Sequence, residues 1–594
     1  MAFDETTVWD QESLAETECH LRSMMVRLQE LLELPVLTET AFAEIAAIYN
    51  NVAYIFLYLE SNEAHLRYDE LLGWRAAFFD DDHLTEALVT AIDGFRCEGP
   101  QAETARQEYL AHLRRPAEDD AATTARAAEL NVATKGVLQL IRADQAALLT
   151  KLGAGPDLDN PVAVYYRLAG RTASVAVRTK LGRAWEAVQD RHLPDLVDLV
   201  DQQVDLRRQV SAAAGHASVL AQTLERCRVT EPVAEEYMDR SVLGAVASHL
   251  VLEDEVRERT GADDRPIDHF AHHVQLLTGG RRVPLFRLDR CLDVLVELGR
   301  HAFGLDLVPL EQQSPHVLTF AVSEADRPVG TINFDLWQTG NRPANRTIGI
   351  RNRLDHGGIV QRPVAYVSCR FGDDGDDRLI TFQNVHSLFH EFGHAINHLL
   401  IVRRLPNQSG LEYLPLERLE ILSMWFEKWV YHPDLAEALG LDGDDRYGLA
   451  LCQQVKGLEY RRTHLERAVT AALDLEVHRH PTAGLAEAYA ALEERYDLTG
   501  HCTLGDIAPS FTWPMLQTHP GGNFAYLWGA ADSAERFLPV MTRPIDAIGP
   551  PATVRHEFRS CFDFDEPSDE PDPAAIYEFY DEVVPATAPG WAVA

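Results

Sequence analysis

No run of eighteen consecutive apolar residues occurs in this chain, so no continuous apolar span predicts a membrane crossing. The opening residues, MAFDETTVWDQESLAE, lack the basic stretch followed by an apolar one that marks a secretory leader. Both absences predict a soluble, cytoplasmic protein with no membrane partner. Cysteine is sparse. Eight residues (Cys19, Cys97, Cys227, Cys291, Cys369, Cys452, Cys502 and Cys561) stand singly with no CxxC pair, which argues against a disulfide framework or zinc ribbon and for reduced, mostly buried thiols. Basic side chains are scarce as well, 54 against 92 acidic ones, and the formal charge of −38 repels nucleic acid and anionic lipid. A nucleic-acid partner is therefore not expected, and the charge is read as serving solubility.

At 594 residues the chain exceeds the size at which one hydrophobic core stops growing, which predicts two lobes. An apolar fraction of 46% with 25% charged residues is ordinary for a globular protein. From residue 10 to 300 apolar positions recur at helical spacing, as in Leu21, Met25, Leu28, Leu31 and Leu32, or Ile45, Ile48, Val52, Ile55 and Leu59. Turn formers and charges punctuate this text at 97–106, 115–122, 153–161 and 261–266. Residues 1–300 thus read as a helical N-terminal lobe. Between 305 and 370 the period changes: 331–336 (TINFDL) alternates polar and apolar, and 364–371 (VAYVSCRF) is a β-prone run after a proline, which predicts a small sheet. An acidic loop, Asp373–Asp377, precedes renewed helical text that continues to a solvated Pro-, Asp- and Glu-rich loop at 563–574, and the last dozen residues read as frayed. Residues 301–594 are assigned to a second lobe, which carries the chemistry.

That chemistry centres on His-Glu-Phe-Gly-His at 390–394, inside a stretch whose Val385, Leu388, Phe389, Phe392, Ile396 and Leu399 follow helical spacing. Residues four apart on a helix lie one above the other, so His390 and His394 can reach one ion while Glu391 projects beside them toward a water. A catalytic zinc needs three protein ligands and an open position; it lowers the pKa of its water to near 7, and a carboxylate in reach then takes the proton. The third ligand is expected from another element, and 416–430 (LERLEILSMWFEKWV) reads as an apolar helix carrying three carboxylates, Glu417, Glu420 and Glu427.

HEFGH followed by Ser409-Gly410 and then Glu420, Ser423, Glu427 and Trp429 in the pattern E-x-x-S-x-x-x-E-x-W resembles the thimet oligopeptidase family, which includes neurolysin, oligopeptidase A, dipeptidyl carboxypeptidase and, more distantly, oligoendopeptidase F. The resemblance extends over 320–535. It implies one zinc per chain held by His390, His394 and Glu420, with Glu391 as general base. One extra residue between Gly410 and Glu420 leaves Glu417 as an alternative ligand, and Glu427 is assigned to orienting a ligand or a neighbouring helix. Residues 329–336 and 362–371 are similar to the family's Asp-containing strand and to the strand before the zinc helix, whose edge would pair with an extended substrate. His519-Pro-Gly-Gly-Asn-Phe-Ala-Tyr526-Leu-Trp528 is similar to the segment whose histidine and tyrosines stabilise the oxyanion, which implies catalytic roles for His519 and Tyr526.

The sequence also departs from that pattern. Asn523 or Phe524 stands where the family's first tyrosine is expected, Asn384 stands where an Asp often precedes the motif, and 555–580 holds no obvious Gly-rich loop. His386, His398, His356 and the pair His272-His273 read as ordinary core or surface histidines, and 355–358 (DHGG) as a mobile substrate-side loop. The implied fold is mainly α: two helical lobes flanking a deep substrate channel, with a small β-sheet next to the zinc-binding helix. The implied function is a zinc metallopeptidase hydrolysing short unfolded peptides. The alternatives are a dedicated leader-removing peptidase of a biosynthetic pathway, which the departures would suit, and a peptide-binding scaffold with weak catalysis. The sequence sets no oligomeric state.

Overall fold

The computed structural model describes residues 14–61, 71–97, 99–114, 121–154, 160–262, 265–279, 281, 283–311, 317–337, 345–372 and 378–586. The acidic loop Asp373–Asp377 and the final residues 587–594 lie outside them. The described chain is mainly α with a small sheet beside the helix that carries the HEFGH motif, as the periodicity predicts.

Five strands form that sheet: β1 (Asp306–Pro309), β2 (Leu318–Glu324), β3 (Arg327–Trp337), β4 (Arg346–Arg351) and β5 (Val364–Phe371), in the order β1-β2-β3-β5-β4. β3 and β5 run parallel, with Thr331 opposite Val364 and Asp335 opposite Ser368, and the other pairs are antiparallel. Every residue of β5 is buried except Arg370, the pattern of a strand covered on both faces. Helix α1 (Glu39–Ser61) covers one face, where the Tyr58 and Tyr366 rings meet edge to face at 5.7 Å. Helix α2 (Phe382–Leu400) covers the other, where Phe392 lies 6.4 Å from Phe334 with the rings nearly parallel.

α1 has mean hydropathy 1.3 over Glu39–Glu60, the one described segment long and apolar enough by composition to cross a membrane; 78% of it is buried inside the protein, so its apolarity is spent on the core. One departure from the expected helical N-terminal lobe is the two-residue strand Phe286–Arg287, which pairs with Leu379–Ile380 just before α2.

The chain divides into two compact units, each assembled from three segments: 1–116, 284–442 and 536–569 in the first, and 117–283, 443–535 and 570–594 in the second. The single boundary expected at 300 coincides with none of these, because residues 1–116 belong with the sheet and 117–283 with the other unit. The Asn50 side chain donates to the carbonyl of Asn352 at 2.7 Å and accepts from its N–H at 3.1 Å, a bond between segments some three hundred residues apart that leaves no trace in local periodicity. The second unit holds only helices and loops among its described residues. Its core joins Val200 and Val204 of the Val175–Ala213 helix, Tyr237 and Val242 of Glu231–Thr260, Val469 and Leu473 of Gly443–Arg479, Leu492 of Leu485–Tyr496 and Trp528 of Phe524–Phe537.

Candidate metal centre

α2 begins at Thr381, whose hydroxyl accepts from the Asn384 N–H, a helix start of the Ser/Thr type. Asn384 is therefore part of a helix cap. One turn apart on α2, the His390 and His394 rings stand 4.9 Å from one another at 82°. Opposite them, 416–430 is not one helix: a 3-10 turn, Leu416–Arg418, precedes helix α3 (Ile421–Lys428), and Glu420 sits at the N-cap between them. Glu417 and Glu420 thus belong to different elements. Glu417 is buried 3.5 Å from Arg418, whereas Glu420 Oε2 reaches to 3.3 Å from both His390 Nε2 and His394 Nε2.

His390, His394 and Glu420 present donor atoms within 4.8 Å of one another. Zinc bonds of about 2.0–2.1 Å place tetrahedral ligand atoms about 3.3 Å apart, the separation seen here. His394 Nδ1 is buried without a hydrogen-bond partner, so its ring is held by packing with Nε2 turned to the cluster. The residues fit a zinc ion.

Neighbouring groups fix this geometry. Ser423 Oγ donates to Glu420 Oε2 at 2.8 Å, which accounts for the serine three residues after the carboxylate. Glu427 Oε2 lies 2.9 Å from His390 Nδ1 and its Oε1 3.2 Å from His386 Nε2, so one carboxylate orients the ring and is anchored a turn earlier on the same helix. A Cβ on Gly393 would sit 2.5 Å from Ser423 Cα and 2.7 Å from the Leu422 carbonyl, so only glycine lets α3 approach this closely. Thr347 Oγ1, on β4, lies 2.8 Å from Glu391 Oε2 and 2.9 Å from the Glu391 carbonyl, which ties that carboxylate to the sheet.

Burial alone would depress the pKa of His390, but hydrogen bonds and charge from Glu420 and Glu427 outweigh it and hold the ring well above its ordinary value. Burial likewise works to raise the two carboxylates; His394 and His390 pull Glu420 below the usual range, and His386 and His390 do the same to Glu427. Two largely buried carboxylates facing the ring nitrogens are a donor set that suits a cation.

A model of peptidase family M3 matches residues 173–531, more than half of the chain and including all of these groups. The chain belongs to peptidase family M3. It is 26% identical over 308 residues to the "probable cytosolic oligopeptidase A" of Arabidopsis thaliana, covering 47% of this chain and 43% of that protein. It is 24% identical over 290 residues to oligopeptidase A of Escherichia coli strain K12, covering 45% and 42%. The chain thus spans less than half the length of these curated relatives. In fold it is similar to PZ peptidase A solved with an inhibitor, at TM-score 0.52 and 12% identity over 97% of this chain and 98% of that one.

Of the residues expected from the sequence, His390, His394 and Glu420 come together in the first unit, with Glu391 next to His390 on α2, while His519 and Tyr526 lie in the second. There the Asp474 carboxylate, fully buried, accepts from the Gly521 N–H at 3.0 Å and the Asn523 N–H at 3.1 Å, and stands 3.0 Å from His478 Nδ1. It clamps the turn that leads into the helix bearing Tyr526, a partly buried residue in that helix's first turn. Gly521 is required there by its φ of 81° and by Leu220, 3.1 Å from where a Cβ would sit. His519 packs against Arg226, 3.2 Å from Nδ1, and burial followed by that guanidinium lowers its pKa to about 4, so the ring is neutral at pH 7.

Two expectations are corrected. β5 cannot offer an edge to an extended peptide, because β3 and β4 use both sides of its backbone; β4 is the edge strand on that side. The 355–358 segment is the turn of a hairpin, Leu354–His356 with Ile359–Gln361, packed against α1: a Cβ on Gly357 would meet the Glu39 carbonyl at 2.5 Å. His398 and His273 are core residues, each with its pKa lowered to about 4 chiefly by burial. Thr347 and Asp474 were missed, and His386, read as an ordinary histidine, instead holds Glu427; four residues before His390 on one helix face, it alone left a local signal.

Proposed function

We propose that this chain is a zinc-dependent metallopeptidase that hydrolyses peptide bonds in short unfolded peptides, with one zinc held by His390, His394 and Glu420. The reading is carried by one arrangement: three ligand atoms converging beside a carboxylate, Glu391, that belongs to the same helix and is held by Thr347. Zinc, when bound, supplies Lewis acidity toward a carbonyl oxygen and acidifies water. Glu391 takes the proton from the attacking water and returns it to the departing amine nitrogen. Glu427 keeps the His390 ring oriented, with Nε2 free for the ion. Tyr526 and His519 are assigned as donors to the developing oxyanion because their segments match the family pattern, and His519 acts there as a neutral N–H donor. The oligopeptidase names of the relatives support the substrate class, and the cytosolic designation of the Arabidopsis protein supports a cytoplasmic location.

Metal content and peptide hydrolysis of two variants test the reading. Glu420→Gln is expected to abolish tight zinc binding and turnover of a quenched fluorescent peptide, while Glu417→Gln keeps zinc. Full zinc in Glu420→Gln with loss in Glu417→Gln would overturn the ligand assignment.

A further inference from the structure

We propose that His249, Glu253 and His501 form a second divalent-metal site, of zinc type, within the second unit. His249 and Glu253 lie four residues apart on one face of the Glu231–Thr260 helix. His501 comes from the loop after the Leu485–Tyr496 helix, turned back by left-handed residues at Asp497 and Gly500 and by the His501 N–H donating to Leu498 O at 3.0 Å. Glu253 Oε1 is 3.5 Å from His249 Nε2 and its Oε2 3.2 Å from His501 Nδ1, and ligand atoms of all three lie within 4.8 Å of one another. These separations match the edges of a tetrahedral zinc site and those among His390, His394 and Glu420.

His249 is 3% exposed; its Nδ1 has no hydrogen-bond partner, and its Nε2 meets Glu253 Oε1 only at 3.5 Å, long for a hydrogen bond. A buried polar atom left unbonded is costly. An ion would engage Nε2 and leave Nδ1 in the state that His394 Nδ1 shows at the first centre. Glu253 is 4% exposed, and its two carboxylate oxygens face the His249 and His501 rings. Two imidazoles with one carboxylate select a borderline cation such as zinc over calcium or magnesium, which require oxygen cages. The bound ion would pin the 497–503 loop to a helix far away in sequence.

The test removes the first centre so that the two readings fail separately. Full-length His390→Ala/His394→Ala protein, loaded with zinc and freed of loose ion, is expected to retain about one zinc per chain, and adding His501→Ala should reduce this to none. Zinc absent from the double variant overturns the proposal, whatever the wild-type protein does as a peptidase. Zinc that persists through His501→Ala overturns it too, since the ion then lies elsewhere. His501 is partly exposed, so its replacement is the least disruptive one, and the double-variant measurement decides even if a His249 variant does not fold.

Discussion

Glu391 has its carboxylate held by the Thr347 hydroxyl at 2.8 Å, a bond that a glutamine oxygen in its place can still accept. Glu391→Gln should therefore keep the side chain in position and the zinc in place while removing the only function that needs a free carboxylate. We expect kcat to fall by about 100-fold or more with unchanged metal content; turnover above about a tenth of wild type would assign the base elsewhere. Tyr526 is proposed as an oxyanion donor, and the companion tyrosine of the family pattern has no counterpart here, Asn523 or Phe524 standing in its place. If its hydroxyl bonds only the developing oxyanion, Tyr526→Phe should lower kcat by roughly 100-fold and leave KM within a few-fold. Steady-state kinetics decide it, and an unchanged kcat would make Tyr526 a packing residue.

Two elements, α2 and α3, make the metal centre, and their separation is set by one missing Cβ. A methyl group at 393 would meet Ser423 Cα and the Leu422 carbonyl, backbone atoms that cannot swing aside as a side-chain end could. Gly393→Ala should push α3 away, cost about 1–3 kcal/mol, and carry Glu420 from the two histidines. Zinc affinity by competition with a chelator should drop sharply together with the melting temperature, and wild-type affinity in a folded Gly393→Ala protein would refute this account of the contact. The motif letters mark a glycine between the histidines, yet its purpose appears only once α3 lies against it. The same holds for β5, whose β-prone run predicts a strand but not that neighbours occupy both of its edges.

Across the whole molecule, buried neutral histidines set the response to acid. Burial lowers the pKa of His398 and His273 to about 4 and of His464 to about 3, from 6.5 in an unfolded chain. With the folded value depressed, the unfolded chain takes the proton first, so the stability each ring contributes is intact above pH 6.5 and is lost as pH falls toward the folded pKa. Each should account for about 2 kcal/mol between pH 7 and pH 5. Comparison of wild type with His464→Gln cancels any change from zinc release, and the pH dependence of denaturant unfolding should be shallower in the variant by that amount. Equal slopes would show that His464 is not buried neutral.

Local periodicity was enough to place α2, β3 and β5 and to call the chain mainly α, because helix and strand spacing is written in residues three, four or two apart. The HEFGH letters with Glu420, Ser423 and Glu427 were likewise enough to name the family and a candidate metal centre, since each group lies within one helix or beside the next. Thr347 on Glu391, the central place of β5, the membership of residues 1–116 in the unit of the sheet, and the meeting of His249 with His501 came only from tertiary structure. Each joins residues separated by tens to hundreds of positions, and a contact of that range is decided by which surfaces pack together, a choice that no local pattern of side chains records.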